Sequence, residues 1–175
     1  MEQYRPDVLI SEEEISLRID ALAKAINEEF EGQELVVVCV LKGAFMFCSD
    51  LIKKIQLPVK LEFIQLSSYG EGTTSSGNVK IEMDLSGSIK DKNVIIVEDI
   101  IDSGKTLKFL LKEIENYNLK SLSIVTLLKK NSINKINKEA IDWYGFEIND
   151  KYVIGYGLDI NNLFRELKDI YIKDE

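Results

Sequence analysis

The chain has 175 residues, a mass of 20.0 kDa and 45% hydrophobic residues, so we predict one folded domain over residues 1–175. Its 22 basic and 30 acidic residues give a net charge of −8, which disfavours binding to nucleic acid or to an anionic membrane surface. The absence of histidine excludes histidine-based catalytic triads and zinc-histidine sites, so acid-base chemistry must use other side chains.

The N-terminal part of the chain predicts a helix, a buried strand and a second helix. Ser11 and Glu14 form a capping-box pattern, and apolar residues then recur at helical spacing. The run Leu35–Leu41 is continuously apolar and β-branched, which is typical of a strand covered on both faces. A second helical stretch follows and ends near Ile55.

The middle of the chain predicts three strands and a helix. Val59–Tyr69 has the pattern of a strand, and the polar stretch 70–78 that follows predicts a mobile loop. Order resumes at Val79–Met83, and Asn93–Ile101 is a second fully apolar strand. Apolar residues at helical spacing over Leu107–Tyr117 predict the next helix.

The C-terminal part predicts a third buried strand at Leu122–Leu128 and shorter strands at Trp143–Ile148 and Tyr152–Tyr156. Apolar residues within Leu163–Leu167 suggest a terminal helix. Buried strands that alternate with amphipathic helices predict an α/β fold with a mainly parallel central sheet flanked by helices.

Candidate functional residues follow the buried strands, because ligands of open parallel sheets bind beyond the carboxyl ends of the strands. Four positions meet this condition: Lys42-Gly43, Glu98–Thr106, Lys129-Lys130 and Asp159.

The segment Glu98–Thr106 carries the strongest pattern. Gly104 allows the main chain to approach an anion, the first N–H groups of the following helix point at it, and Ser103 and Thr106 supply hydroxyls. This pattern predicts a phosphate site. The alternative is that Asp102 or Ser103 only caps the helix, with the acidic residues before it solvated at the strand end.

The residues Gly-Lys-Thr also invite comparison with the nucleotide-triphosphate loop. That motif requires a glycine five positions before Gly104, where this chain has Asp99. Glu98 and Asp99 at a phosphate site would accept hydrogen bonds from vicinal hydroxyls. A ribose phosphate therefore fits the segment better than a triphosphate tail.

The motif VIIVEDIIDSGKT closely resembles the phosphoribosyl-pyrophosphate (PRPP) signature of type I phosphoribosyltransferases. The surrounding motifs are similar to the hypoxanthine-guanine branch of that family: LKGAF, SSYG, VTLLKK and GFEINDKYVIGYGLDINNLFR. The resemblance covers Leu35–Arg165. It implies the type I phosphoribosyltransferase fold, with a small hood from the terminal segments.

The resemblance also implies a reaction in purine salvage. The 5-phosphoribosyl group of PRPP would pass to hypoxanthine or guanine, forming IMP or GMP and releasing pyrophosphate. The family depends on Mg²⁺, which Asp159, Glu98 and Asp99 would hold. Asp102 would be the catalytic carboxylate that accepts a proton at the purine.

Binding roles also follow from the resemblance. Glu98 and Asp99 would hold the ribose hydroxyls, and Asp102, Ser103, Gly104, Lys105 and Thr106 the 5′-phosphate. Lys42, Gly43 and Arg165 would contact pyrophosphate, and the family often has a cis peptide at the position of Leu41-Lys42. Lys130, Tyr152 and Val153 would bind the purine, and Ser68 and Tyr69 would open a lid loop. Taken singly, these residues also fit solvated strand ends, core positions or surface ion pairs, and Lys129 is one residue from Lys130.

Two cysteines, Cys39 and Cys48, have neither disulfide nor metal-ligand spacing, and the N-terminus lacks a signal-peptide pattern. We therefore expect reduced thiols and a cytoplasmic protein without a membrane partner. The family is commonly dimeric or tetrameric, so we expect a homodimer or homotetramer. Two other functions stay open: a PRPP-responsive regulator and an ATP-dependent kinase.

Overall fold

The fold was analysed in a computed structural model, which describes residues 7–68, 79–83, 85, 89–131 and 140–173. Its elements, in chain order, are β1 (Val8–Ile10), α1 (Glu12–Glu29), β2 (Leu35–Leu41), α2 (Phe45–Ile52), β3 (Val59–Ser68), β4 (Val79–Met83), β5 (Asn93–Ile101), α3 (Lys105–Ile114), β6 (Ser121–Lys130), β7 (Trp143–Ile148), β8 (Val153–Ile154) and β9 (Ile170–Ile172). A short 3₁₀ helix, Glu115–Tyr117, extends α3.

The central sheet has six strands in the order β4-β3-β2-β5-β6-β7. Strands β3, β2, β5, β6 and β7 run parallel to one another, and β4 pairs antiparallel with β3 at the edge. The predicted mainly parallel α/β fold is therefore confirmed. Because β2 and β5 are neighbouring parallel strands at the centre of the sheet, the turns that follow them lie side by side at their carboxyl ends.

Two hydrophobic cores cover the two faces of this sheet. Val37 and Cys39 of β2 pack in the core that contains α1 and α2, whereas Val36 and Val38 pack in the core that contains α3. Successive residues of a strand point to opposite faces, so a continuous apolar run is required when both faces are covered. The run Leu35–Leu41 is buried for this reason, as the sequence predicts.

Helix α1 begins with the predicted capping box. Ser11 Oγ accepts from Glu14 N at 3.3 Å, and Glu14 Oε2 accepts from Ser11 N at 2.9 Å. Such a cap stabilises a helix by about 1 kcal/mol. Within the described ranges, no helix combines the length and the apolar character needed to cross a membrane.

The two ends of the chain form a second, three-stranded antiparallel sheet in the order β1-β9-β8. This sheet is the small hood that the family resemblance implies. Ile10 and Ile170 from the hood pack in the same core as α1 and α2. Sequence periodicity did not reveal β1 and β9, because strands of three residues are too short to display a period.

The predicted terminal helix is wrong. Residues Leu163–Leu167 form tight turns. Ile160 N donates to Leu163 O, and Leu163 N donates to Ile160 O. The backbone is left-handed at Asn162 and Phe164, with φ of 62° and 74°, and a right-handed helix cannot contain such residues. The strand predicted over Tyr152–Tyr156 is shorter than expected and is limited to β8.

Candidate active site

Two cavities meet at the carboxyl ends of β5 and β6. The first has a volume of about 310 Å³, and the second, beside it, has a volume of about 550 Å³. The first is lined by Val40, Leu41, Gly43, Leu66, Glu98, Asp99, Ile100, Ile101, Asp102, Ser103, Gly104, Thr106 and Leu107. The second is lined by Asp102, Lys130, Asp150, Lys151, Tyr152, Ile172 and Lys173. Asp102 therefore belongs to both cavities.

The turn from β5 into α3 lines the first cavity through Ser103, Gly104 and Thr106, at the end of α3 where main-chain N–H groups lack partners within the helix. Gly104 is the N-cap residue, with φ of 74°, and supplies the left-handed conformation that the turn needs. It has no side chain with which to cap α3, and the hydrogen bond from Lys105 N to Ser103 Oγ is long, at 3.5 Å. Asp102, Ser103, Lys105 and Thr106 are exposed around this turn. The arrangement suits an anion better than a self-capped helix.

Glu98 and Asp99 are successive residues of β5 and leave the strand on opposite faces. Burial, followed by the neighbouring charge of Asp99, raises the pKa of Glu98 well above its usual range. Burial raises the pKa of Asp99 to about 6. A ligand that brings hydroxyl donors or a cation to these carboxylates would favour their charged forms.

The residues predicted to bind pyrophosphate lie on two segments that pack together. Lys42 and Gly43 follow β2, and the Leu41–Lys42 peptide is cis. Gly43 lies so close to Asp99 that a Cβ atom on Gly43 would overlap the Asp99 carboxylate. Gly157, from the segment after β8, packs on the carbonyl oxygen of Gly43, which a Cβ atom on Gly157 would also overlap.

Arg165 lies at the other end of that segment and is fixed there by two contacts. Its Nη1 donates to Gly157 O at 2.6 Å, and its Nη2 forms an ion pair with Asp159 Oδ1 at 2.6 Å. Asp159 Oδ2 also accepts from Asn162 N at 2.7 Å. The charges of Arg165 and Asp159 both act on Asp99, which lines the first cavity together with Gly43.

Lys130 projects into the second cavity from the end of β6, and its side chain is only 8% exposed. Its Nζ lies 2.7 Å from Asp150 Oδ1 and 3.3 Å from Asp102 Oδ2. It also lies 5.7 Å from the ring centre of Tyr152, which is 70% exposed, so a flat group could stack on this ring. Burial tends to lower the pKa of Lys130, but Asp150 and Asp102 together raise it.

Lys129 has different surroundings from Lys130. Its Nζ lies 2.7 Å from Glu147 Oε2 and 3.8 Å from the ring centre of Tyr144. Successive residues of β6 face opposite sides of the sheet, so only one of the two lysines can enter the second cavity. That residue is Lys130, the lysine that the sequence analysis selected, and its contact with a purine stays a prediction.

Three remaining predicted residues lie around these cavities. Val153 is buried in β8, directly after Tyr152. Ser68 is the last residue of β3, so the predicted lid would begin at the carboxyl end of that strand. Tyr69 and residues 70–78 lie outside the described residues.

The acidic residues near the first cavity suit a hard cation. In the described part of the chain, no group of three or more acidic, cysteine or histidine side chains forms a ready-made metal site. Mg²⁺ is usually bound by one or two carboxylates together with substrate phosphates, so such a group is not required. The oxygen ligands that Glu98, Asp99 and Asp159 offer fit that mode of binding.

Sequence reasoning missed two residues of this region, Asp150 and Gly157. Asp150 directly precedes Lys151 and Tyr152 in the loop between β7 and β8, so an acidic residue after a predicted strand was an available signal. The contact of Gly157 with Gly43 joins segments more than 100 residues apart. Local sequence patterns contain no signal for such a contact.

Comparisons with known proteins agree with this geometry. Residues 9–161 match the model of the phosphoribosyl transferase domain family. The chain is 43% identical over 170 residues to the hypoxanthine phosphoribosyltransferase of Haemophilus influenzae, covering 95% of this chain and 94% of that protein. It is also 44% identical to the bifunctional protein TilS/HprT of Listeria monocytogenes, but spans only 25% of the length of that relative.

A crystal structure of a hypoxanthine-guanine phosphoribosyltransferase from Bacillus anthracis, with HEPES in its active site, has a similar fold. It is 43% identical and superimposes with a TM-score of 0.89, covering 96% of this chain and 98% of that chain. The similarity therefore extends over the central sheet and the hood.

Proposed function

This chain belongs to the phosphoribosyl transferase family, and we propose that it transfers the 5-phosphoribosyl group of PRPP to hypoxanthine or guanine, forming IMP or GMP and pyrophosphate. The enzyme would be a pentosyltransferase of purine salvage. The similarity to named hypoxanthine and hypoxanthine-guanine phosphoribosyltransferases over nearly the whole chain supports this proposal.

The observation that carries the proposal is the position of Asp102 between the two cavities. The first cavity offers an anion-binding turn, and the second offers a buried ammonium beside an exposed aromatic ring. A ribose phosphate in the first and a flat base in the second would meet at Asp102. Transfer between two bound groups requires such proximity of the reacting atoms.

In the first cavity, the 5′-phosphate would bind the main-chain N–H groups of Asp102–Thr106 at the start of α3. The ribose hydroxyls would donate to Glu98 and Asp99. Pyrophosphate would lie between Lys42-Gly43 and Arg165. The positive charges of Lys42 and Arg165 would stabilise the negative charge that develops on the leaving group.

In the second cavity, the purine would stack on Tyr152 and accept a hydrogen bond from Lys130 at its 6-oxo group. Val153 would contact the base edge with its main chain. As a ring nitrogen forms its bond to the anomeric carbon, the bond from that carbon to pyrophosphate breaks. Asp102 accepts the proton that the purine releases, so the product leaves as a neutral base attached to ribose.

We also propose that the reaction uses Mg²⁺. Asp159, Glu98 and Asp99 are the carboxylates that would hold the cation, one or two at a time, together with the phosphates of PRPP. The cation would supply neutralisation of the negative charge on the departing pyrophosphate. The carboxylate ligands and their position beside Arg165 support this assignment.

The proposal is tested by incubating the purified chain with PRPP, Mg²⁺ and, separately, hypoxanthine, guanine and adenine. Chromatography should detect IMP or GMP, with one pyrophosphate released for each nucleotide, and no AMP. An arm with excess chelator should lose the activity if Mg²⁺ is required. Binding of PRPP without any nucleotide product would contradict transfer and favour a PRPP-responsive regulator.

Three further features are proposed: a single domain over residues 1–175, a cytoplasmic location, and, from the family resemblance, a homodimer or homotetramer. Packing of hood residues in the core of the main sheet supports a single domain. Cys39 and Cys48 are free and buried, as expected in a reducing compartment. Leu61, Phe63 and Met83 are exposed apolar side chains that an oligomer could bury. Light scattering of the purified chain tests the oligomeric state.

A further inference from the structure

Asp150 lies in the exposed loop between β7 and β8, and its side chain is 72% exposed. Its Oδ1 nevertheless accepts a hydrogen bond from the buried Nζ of Lys130 at 2.7 Å. This distance is shorter than the 3.3 Å between the same Nζ and Asp102 Oδ2. Lys130 therefore lies between two carboxylates and is hydrogen-bonded to the one that sequence reasoning did not select.

The loop that carries Asp150 is anchored to the end of β6. Asn131 Nδ2 donates to Asn149 Oδ1 at 3.0 Å, and Asn131 N donates to Ile148 O at 2.9 Å. Lys151 N also donates to Asn149 O at 2.8 Å. These bonds hold the loop beside Lys130, so the proximity of Asp150 does not depend on its own ion pair alone.

Asp102 and Lys130 have different requirements in the proposed reaction. Asp102 must accept a proton, and a carboxylate that is tightly paired with an ammonium group is a weaker base. Lys130, in turn, is largely buried, and a buried ammonium needs a nearby anion. A second carboxylate that binds the ammonium more closely meets both requirements.

We propose that Asp150 is a positioning residue for base transfer: it holds the Lys130 ammonium towards the purine site and away from Asp102. The inference rests on the proposed function, because it assigns Asp102 and Lys130 their roles in the same reaction. Asp150 lines the cavity with Lys130 and Tyr152, so its carboxylate acts at the place where a base would enter.

The test uses Asp150→Asn, which keeps the shape of the side chain and removes its charge. Without Asp150, the ammonium moves towards Asp102, so kcat/KM for hypoxanthine should fall by about 10-fold, a common size for coupling between residues in contact. The KM for PRPP should stay near the wild-type value, because the phosphate turn is untouched. A general structural defect would change the kinetic constants for both hypoxanthine and PRPP.

The matched control is Glu147→Gln, because Glu147 forms an ion pair of the same 2.7 Å length with Lys129 on the other side of β6. This variant should keep wild-type kinetics. A crystal structure of Asp150→Asn gives a readout independent of activity: the distance from Lys130 Nζ to Asp102 should shorten from 3.3 Å towards about 2.8 Å.

A double-mutant cycle completes the test. In a Lys130→Met background, Asp150→Asn should have no further effect on hypoxanthine kinetics, because the group that Asp150 positions is absent. An equal loss in both backgrounds would overturn the proposal, as would unchanged kinetics of Asp150→Asn in an active wild-type background. Absence of nucleotide formation by the wild-type chain would instead reject the proposed function itself.

Discussion

Gly157 packs directly on the carbonyl oxygen of Gly43, and a Cβ atom at Gly157 would overlap that oxygen. This contact joins the segment that carries Asp159 and Arg165 to the turn after β2. Gly157 also has φ of 98°, a conformation that side-chain-bearing residues rarely adopt. The two halves of the proposed pyrophosphate site are therefore held together through two glycines.

Gly157→Ala is expected to damage the use of PRPP more than the fold. The methyl group would push the Arg165 segment away from Gly43, so KM for PRPP should rise about 10-fold or more, the effect of small misplacements in active sites. Steady-state kinetics with PRPP as the varied substrate measure this change.

Gly32→Ala is the matched control for Gly157→Ala, because Gly32 has φ of 73° but nothing within 4 Å of an added Cβ. It should reduce stability by roughly 1–2 kcal/mol from the backbone alone and leave kinetics unchanged. An equal rise in the KM for PRPP in both variants would contradict the role of the Gly157 contact.

Asp102→Asn should retain PRPP binding but lower turnover by about 10² to 10⁴, the range for loss of a general base. Calorimetry with PRPP and initial-rate measurements separate these two effects. Asp91→Asn is the control, because it removes an exposed carboxylate from the opposite end of β5, at φ of 57°, which asparagine tolerates. Wild-type turnover of Asp102→Asn would reject Asp102 as the proton acceptor.

The sequence predicted those parts of the fold and site that depend on local patterns. Continuous β-branched runs identified β2 and β5, and the turn after β5 was recognisable because glycine and hydroxyl residues follow acidic ones within nine positions. The segment from Gly155 to Leu167 was misread as part strand and part helix. Its left-handed residues, such as Asn162, belong to turns fixed by tertiary packing, and apolar spacing alone cannot identify them.

Asp150 was missed because its local signal, an acidic residue after a predicted strand, is not specific. Its position in the sequence resembles that of any solvated loop carboxylate, and most of its side chain is exposed. Only the three-dimensional arrangement shows that it lies 2.7 Å from the buried ammonium of Lys130.

Lys130→Met should lower kcat/KM for hypoxanthine by at least about 10², because a charge-assisted hydrogen bond worth some 2 to 3 kcal/mol is lost. An ammonium can only donate, so it favours a 6-oxo acceptor over the amino group of adenine. The ratio of kcat/KM for hypoxanthine to kcat/KM for adenine should therefore fall in this variant. Lys129→Met is the control, since Lys129 contacts Glu147 and Tyr144 instead. Loss of activity in Lys129→Met but not in Lys130→Met would contradict the assignment.

Tyr156→Phe should reveal a pH-dependent contribution to stability. The Tyr156 hydroxyl donates to Asp50 Oδ2 at 2.5 Å and links the C-terminal segment to α2. Burial opposes the charged form of Asp50, but hydrogen bonds from Lys53 and Tyr156 outweigh it and lower the pKa of Asp50. Because Asp50 is partly exposed, the free energy of unfolding should fall by about 1 kcal/mol at pH 7.

Because the pKa of Asp50 is lower in the folded than in the unfolded protein, its ionised form stabilises the fold at pH values above the unfolded-state pKa of about 4. This stabilisation is lost as the pH falls through the folded-state pKa. The difference in unfolding free energy between wild type and Tyr156→Phe should therefore be constant from about pH 5 to 8 and shrink below about pH 4. Urea unfolding across this range measures it. Tyr171→Phe is the control, because it removes a more exposed hydrogen bond to Asp169 and should have a smaller effect. If the difference in unfolding free energy between wild type and Tyr156→Phe grew as the pH fell, the assignment would be refuted.

If the two cavities around Asp102 bind the two halves of one purine nucleotide, a crystal structure of the chain with IMP will show both halves in place. We expect the 5′-phosphate against the main-chain N–H groups of Asp102–Thr106, the base on Tyr152, and the 6-oxo oxygen about 3 Å from Lys130 Nζ. A phosphate bound away from this turn, or a base that does not approach Lys130, would show that the cavities do not bind the nucleotide in this way.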